Sequence, residues 1–289
     1  EKGRCYWLKV YEIPDGEKQG KGRAIQNLMQ LPQDDKIRAI IDVKNLQDEE
    51  FVNSHYIVLC TKQGIIKKTD LADFSRPRAN GVNAITIVEG DQLLNAKMTD
   101  GNSEIMLAVK SGRAIRFPEA KVRSTGRGAI GVSGIEVDDA TDEVVGMICV
   151  NVEDKTRTVL VVSEKGYGKR TAVDEYRVTN RGGKGVKTIS VTEKTGKLVG
   201  MLDVAEKEDL IITCKSGVTI RTSIADIREA GRATQGVKLI RLDENDEIAA
   251  TSKIEEQDVP EEGENADNEI VTNDNSTIIS NGGVLVYIG

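Results

Sequence analysis

Four uninterrupted apolar runs punctuate the chain: Tyr56-Ile57-Val58-Leu59-Cys60, Ile105-Met106-Leu107-Ala108-Val109, Val159-Leu160-Val161-Val162 and Leu210-Ile211-Ile212-Thr213-Cys214. Each leads through charged or polar residues to a glycine: Gly64, Gly112, Gly166 and Gly217. Gly3 holds the same place in a first copy that lacks the preceding apolar run. A second glycine follows 17 to 19 residues later, at Gly22, Gly81, Gly131, Gly185 and Gly236, and successive first glycines lie 61, 48, 54 and 51 residues apart. A period of about 50 predicts a stack or ring of similar units, none of which buries a core alone.

The second copy shows what one unit contains. The run 56–61 reads as a strand, Lys62-Gln63-Gly64 as a tight turn, and Ile65-Ile66-Lys67-Lys68-Thr69 as the returning strand. Residues 70–74 read as a single helical turn or loop with Asp70 as its cap, and residues 76–80 as a polar loop. Third and fourth strands follow over 81–87 and 93–98. Four short strands per repeat predict an all-β ring of propeller-like blades rather than a βαβ sheet. The expected repeats are 1–52, 53–101, 102–155, 156–206 and 207–252 within a body spanning 1–252. An acidic disordered tail over 253–275 follows, and then a hairpin over 276–289 around Asn281-Gly282-Gly283. Because the first copy lacks its apolar strand, Val284-Leu285-Val286-Tyr287-Ile288 is expected to supply it and close the ring. The chain opens inside a repeat, which predicts a fragment of a longer protein.

Composition narrows the function. The net charge is −7, but one basic and nine acidic residues fall from Lys253 onward, leaving 39 basic and 38 acidic residues before it. A near-neutral body can carry a basic face. Aromatics make up 3% of the chain, so base-stacking recognition of single strands is not expected. The single Trp7 and single His55 do not fit a WD-type propeller, and one histidine excludes a His-based triad or a multi-His metal site. Cys5, Cys60, Cys149 and Cys214 are dispersed and read as buried thiols in a reducing compartment. No apolar run is long enough to span a membrane as a helix.

The cations recur in register. The returning strands end on Lys67-Lys68, Arg116, Lys169-Arg170 and Arg221. Around the second glycines stand Lys21 and Arg23; Arg76 and Arg78; Arg123 and Arg127; Arg181, Lys184 and Lys187; Arg232 and Lys238. In a ring, equivalent positions fall on one rim and form a curved basic stripe suited to backbone phosphates. The loop Asn180-Arg181-Gly182-Gly183-Lys184-Gly185 adds glycines expected to expose N–H donors; no Lys-Ser/Thr pair opens a helix after it, so it is not a nucleotide phosphate loop. The bland reading of any single cation is a solubilising strand-edge residue.

The repeated pattern of strand, Gly, strand ending in Lys/Arg, then Arg-x-x-x-Gly-Val resembles the C-terminal domain of DNA gyrase A. The matching segments are Lys165-Gly166-Tyr167-Gly168-Lys169-Arg170-Thr171, Arg181-Gly182-Gly183-Lys184-Gly185-Val186, Gly231-Arg232-Ala233-Thr234-Gln235-Gly236-Val237 and Lys9-Val10-Tyr11-Glu12-Ile13-Pro14. The resemblance covers about residues 1–257, with the topoisomerase IV domain as near neighbour. It implies a β-pinwheel of about five to six four-stranded blades that exchange strands, with a basic rim that wraps duplex DNA. It also implies a bacterial, cytoplasmic, nucleoid-associated ATP-dependent holoenzyme that introduces negative supercoils. The partners would be the remainder of the A subunit and the B subunit in an A2B2 complex, with no membrane. No catalytic residue and no cofactor are expected in this chain, because ATP and Mg would be bound by other parts of the holoenzyme. The family's Gln-Arg-Arg-Gly-Gly-Lys-Gly box is missing; residues 180–185 are box-like but lack its leading Gln and one Arg. The acidic residues 255–274 are expected to compete with DNA for the rim. The competing readings are a protein-interaction propeller and a topoisomerase IV-like domain that binds without positive wrapping.

Overall fold

The computed structural model describes residues 1–15, 24–32, 34–138, 141–243, 245–254 and 284–288. In the first repeat, β1 is Arg4–Lys9 and β2 is Ala39–Val43. The second contains β3 (Tyr56–Thr61), β4 (Ile65–Asp70), β5 (Val82–Asn83) and β6 (Leu93–Thr99). The third contains β7 (Glu104–Val109), β8 (Arg113–Pro118), β9 (Val132–Ser133) and β10 (Val144–Val150). The fourth contains β11 (Thr158–Ser163), β12 (Tyr167–Ala172), β13 (Val186–Lys187) and β14 (Leu198–Val204). The fifth contains β15 (Asp209–Cys214), β16 (Thr219–Ser223), β17 (Val237–Lys238) and β18 (Ile248–Ile254), and β19 (Val284–Ile288) comes last.

The strands form five antiparallel sheets that are not the repeats themselves. The orders are β2-β19-β1-β5, β6-β3-β4-β9, β10-β7-β8-β13, β14-β11-β12-β17 and β16-β15-β18. The third strand of the second to fifth repeats is therefore two residues long and crosses to the outer edge of the preceding blade. We call the segment that carries it the strap. This exchange makes the fold a β-pinwheel. β19 lies between β1 and β2, pairing Cys5 with Ile288 on one side and Ile41 with Val286 on the other. The fifth sheet has three strands among the described residues. Residues 16–23, with Lys21, Gly22 and Arg23, lie outside the described set, as do 255–283 with most of the acidic tail and the first half of the expected hairpin.

The core lies between blades, which explains why the apolar runs do not alternate. Ile57 and Leu59 of β3 join one cluster with Ile41, Leu71 and Phe74, while Val58 and Cys60 join the next with Leu107 and Val109. A strand buried on both faces reads as a continuous hydrophobic run. In β15, Leu210 and Ile212 are buried against the fourth blade whereas Ile211 and Thr213 are only half-buried, so the buried face is one-sided there. The inner strands β2, β6, β10, β14 and β18 pack on one another in that order. Asp70 does not cap its turn with its side chain; its carboxylate instead accepts from Ser124 Oγ at 2.6 Å. One short helix, Glu49–Ser54, is capped by Asp48, whose carboxylate accepts from the Phe51 N–H. His55 stacks on Phe51, with the ring centroids 4.0 Å apart. Cys5, Cys60 and Cys214 are buried thiols, and burial pushes the thiol of half-buried Cys149 up to about 12. Among the described residues no helix is long and apolar enough to cross a membrane.

Candidate nucleic-acid interface

Each strap rests on two glycines, one from each side of a blade joint. A Cβ on Gly64 would stand 2.6 Å from Ile135 O of the strap, and one on Gly185 would stand 2.4 Å from Ala114 O of the blade beneath. Both separations are far shorter than a side chain tolerates, and both residues have positive φ. The carbonyls of Gly3, Gly64, Gly112 and Gly166 each accept a strap N–H, from Ala84, Gly134, Thr188 and Leu239. Gly3 with Gly81, Gly64 with Gly131, Gly112 with Gly185 and Gly166 with Gly236 are thus the two halves of one repeated joint.

Five cations of the returning strands lie inside these joints. Lys67, Lys68, Arg116, Lys169 and Arg170 are all buried. Each sits under the strap or turn of the next repeat. Arg116 donates to Val173 O and Tyr176 O at 2.7 and 2.9 Å and pairs with Glu104. Arg170 donates to Ile227 O at 2.7 Å, and Trp7 does the same at the first joint, to Phe74 O at 3.1 Å. Lys68 Nζ lies 3.5 Å from the buried carboxylate of Glu119. Lys67 Nζ donates to Ala84 O at 2.6 Å and Arg127 O at 3.2 Å, and Lys169 Nζ donates to Gly231 O. Burial lowers both of these lysines to about 8; Asp73 and Glu175 respectively oppose the shift, and Arg127 and Arg232 add to it. Arg221, the corresponding residue of the fifth blade, is exposed and pairs with Asp209 at 2.6 Å.

The remaining cations stand on the straps. Arg127, Arg181 and Arg232 each lie four residues before a strap glycine and are partly exposed. Arg181 donates one N–H to Ser133 O at 3.0 Å and Arg232 one to Lys187 O at 3.0 Å, the same position in successive straps. A guanidinium has five N–H donors, so each keeps donors for a further acceptor. Arg76, Arg78, Lys184, Lys187 and Lys238 are exposed. Neighbouring straps are also tied together: Thr86, Glu136 and Ser190 donate N–H bonds to Ala129, Gly183 and Thr234 at 3.0–3.1 Å. The strap cations therefore follow a continuous hydrogen-bonded row.

The loop 180–185 is more firmly held than its glycines suggest. The Gly182 N–H already donates to Gly134 O at 2.7 Å, so it is not an open donor, and Arg113 donates to Lys184 O at 2.7 Å. Sequence reasoning does not find Arg113, because its partner lies 71 residues away. Gly183 contributes its carbonyl to Glu136 N and packs near Ile115.

The model of the DNA gyrase C-terminal domain, beta-propeller family matches residues 1–44, 55–100, 103–151, 157–205 and 208–255. The chain belongs to this family. The match falls in five segments. The DNA gyrase A protein of Staphylococcus epidermidis (strain ATCC 12228 / FDA PCI 1200) is 43% identical over 257 residues, 89% of this chain and 28% of that relative. The chain thus spans under a third of the curated relatives it matches. A solved DNA gyrase A C-terminal domain superposes with a TM-score of 0.72 at 28% identity, covering 87% of this chain and 79% of that one. The C-terminal domain of DNA topoisomerase IV superposes with a TM-score of 0.76 at 22% identity, covering 87% and 78%, a likeness of fold.

Proposed function

We propose that the chain binds duplex DNA along its row of straps and bends it around the pinwheel. It acts as the non-catalytic accessory domain of a gyrase holoenzyme with A2B2 composition. Other parts of that cytoplasmic, nucleoid-associated enzyme use ATP and Mg to introduce negative supercoils. The observation that carries the reading is the repetition of Arg127, Arg181 and Arg232 at one strap position, on straps bonded to one another. The chemistry suits sugar–phosphate backbone rather than bases: guanidinium donors on a curve, with few aromatics to stack. Bending 20–30 base pairs costs on the order of 1–6 kcal/mol, which many weak phosphate contacts offset. Sequence preference is then slight and follows bendability.

The deciding measurement is topological. A nicked plasmid is ligated in the presence of the chain and the trapped linking difference is read on gels. A positive difference is expected. Binding that leaves the linking number unchanged rejects wrapping, and absence of duplex binding at low salt rejects the DNA reading altogether.

A further inference from the structure

One position in the returning strands separates the joints into two kinds. Lys67 pairs with Leu59, Ile115 with Leu107, Lys169 with Val161 and Ile220 with Ile212, so all four hold the same register. Of the four joints that a strap covers, two place a lysine here, one places Ile115 and the first places Tyr6; Ile220 stands on β16, which no strap covers among the described residues. Lys169 is 0% exposed and Lys67 1%, yet their ammonium groups emerge under the strap and donate to backbone carbonyls. The shorter bond of Lys67 goes to Ala84 O in the preceding strap; its second goes to Arg127 itself, and that of Lys169 to Gly231, the residue before Arg232. Over Ile115 the strap has two other holds: Arg181 donates to Lys121 O, and Arg113 reaches Lys184 O.

We propose that Lys67 and Lys169 are positioning residues: buried clamps that fix the strap backbone and thereby aim Arg127 and Arg232 at the phosphates. A charged group inside an apolar joint is expensive unless fully bonded. An isoleucine fills the same space without that penalty, as Ile115 does under its strap, so packing alone does not require lysine. The Arg127 strap segment needs an external hold because Gly126 and Gly128 flank the arginine and neither would meet an atom within 4 Å if given a Cβ. This inference rests on the DNA reading given above.

The test has two readouts. In the DNA-free chain, hydrogen exchange at residues 230–234 is expected to speed up about tenfold in Lys169→Met. It should stay slow in Lys169→Arg, which keeps the donor, and residues 181–185 should not change in either. The methionine variant is expected to fold, because Ile115 already fills the same strap-covered position with an apolar side chain. Duplex affinity then closes a double-mutant cycle. Lys169→Met and Arg232→Ala are each expected to weaken binding about fivefold, and the double variant no further than Arg232→Ala alone. Unchanged exchange, or losses that multiply in the double variant, overturns the clamp. If Arg232→Ala leaves affinity unchanged while exchange still rises, the clamp holds the strap and the DNA reading is what fails.

Discussion

A lysine whose ammonium lies inside a joint holds its proton less firmly than one in water. Lys67 and Lys169 are lowered from the ordinary 10.5 to about 8 in the folded chain. Between those values the unfolded chain carries more protons, so their contribution to stability rises with pH across that window. Urea midpoints of the parent and of Lys67→Met/Lys169→Met, compared at pH 7 and pH 10, should shift in the parent's favour at the higher pH; a shift the other way contradicts the burial. The exposed cations behave differently. Reversing charge with Arg181→Glu and Lys184→Glu should weaken duplex binding and flatten the salt dependence by about 0.9 in the log–log slope for each phosphate no longer neutralised, and an unaltered slope removes the loop from the interface. The register of the cations is readable in the sequence, but their direction is not. Consecutive Lys169 and Arg170 both vanish beneath a strap that begins about 60 residues later, and nothing local records that cover.

At the level of elements, the hairpins are legible because their cause is local. An apolar run, a polar turn and a glycine specify β3–β4, β7–β8 and β11–β12 without help from the rest of the chain. In the sequence the straps read as third strands of their own repeats, since a two-residue strand has no pattern of its own and its partner is chosen by the joint. The helix Glu49–Ser54 escapes sequence reading too; its signal is the Asp48 cap followed by Glu49 and Glu50, too short to show a helical period. The joint makes sharp demands on its glycines. Gly185→Ala would drive a Cβ into Ala114 O at positive φ, and a loss of about 2–4 kcal/mol in unfolding free energy is expected. Gly128→Ala meets nothing within 4 Å and should stay within about 0.5 kcal/mol of the parent. Equal effects in the two variants, measured by chemical denaturation, would mean that strap and blade are not in close contact.

On the scale of the molecule, the number of repeats and the all-β architecture follow from the period, while the sharing of cores between blades emerges only in three dimensions. Four of the five hydrophobic clusters among the described residues draw on two neighbouring blades, so those blades share their stability. Deleting residues 276–289 removes the strand between β1 and β2 and leaves both without their shared partner. A lower thermal midpoint is expected, with fast exchange appearing first in 4–9 and 39–43. A truncated chain that melts with the parent would show that β19 adds nothing to the first blade. The exchange of straps also sets a timetable. Synthesis runs from the first repeat to the last, and domains form as their residues emerge. Here the first four blades must wait for their outer strands until the following repeat has left the ribosome. The first blade waits longest: begun at Arg4, it is completed by Val284–Ile288, so the earliest part of this chain to be made is the last to be finished.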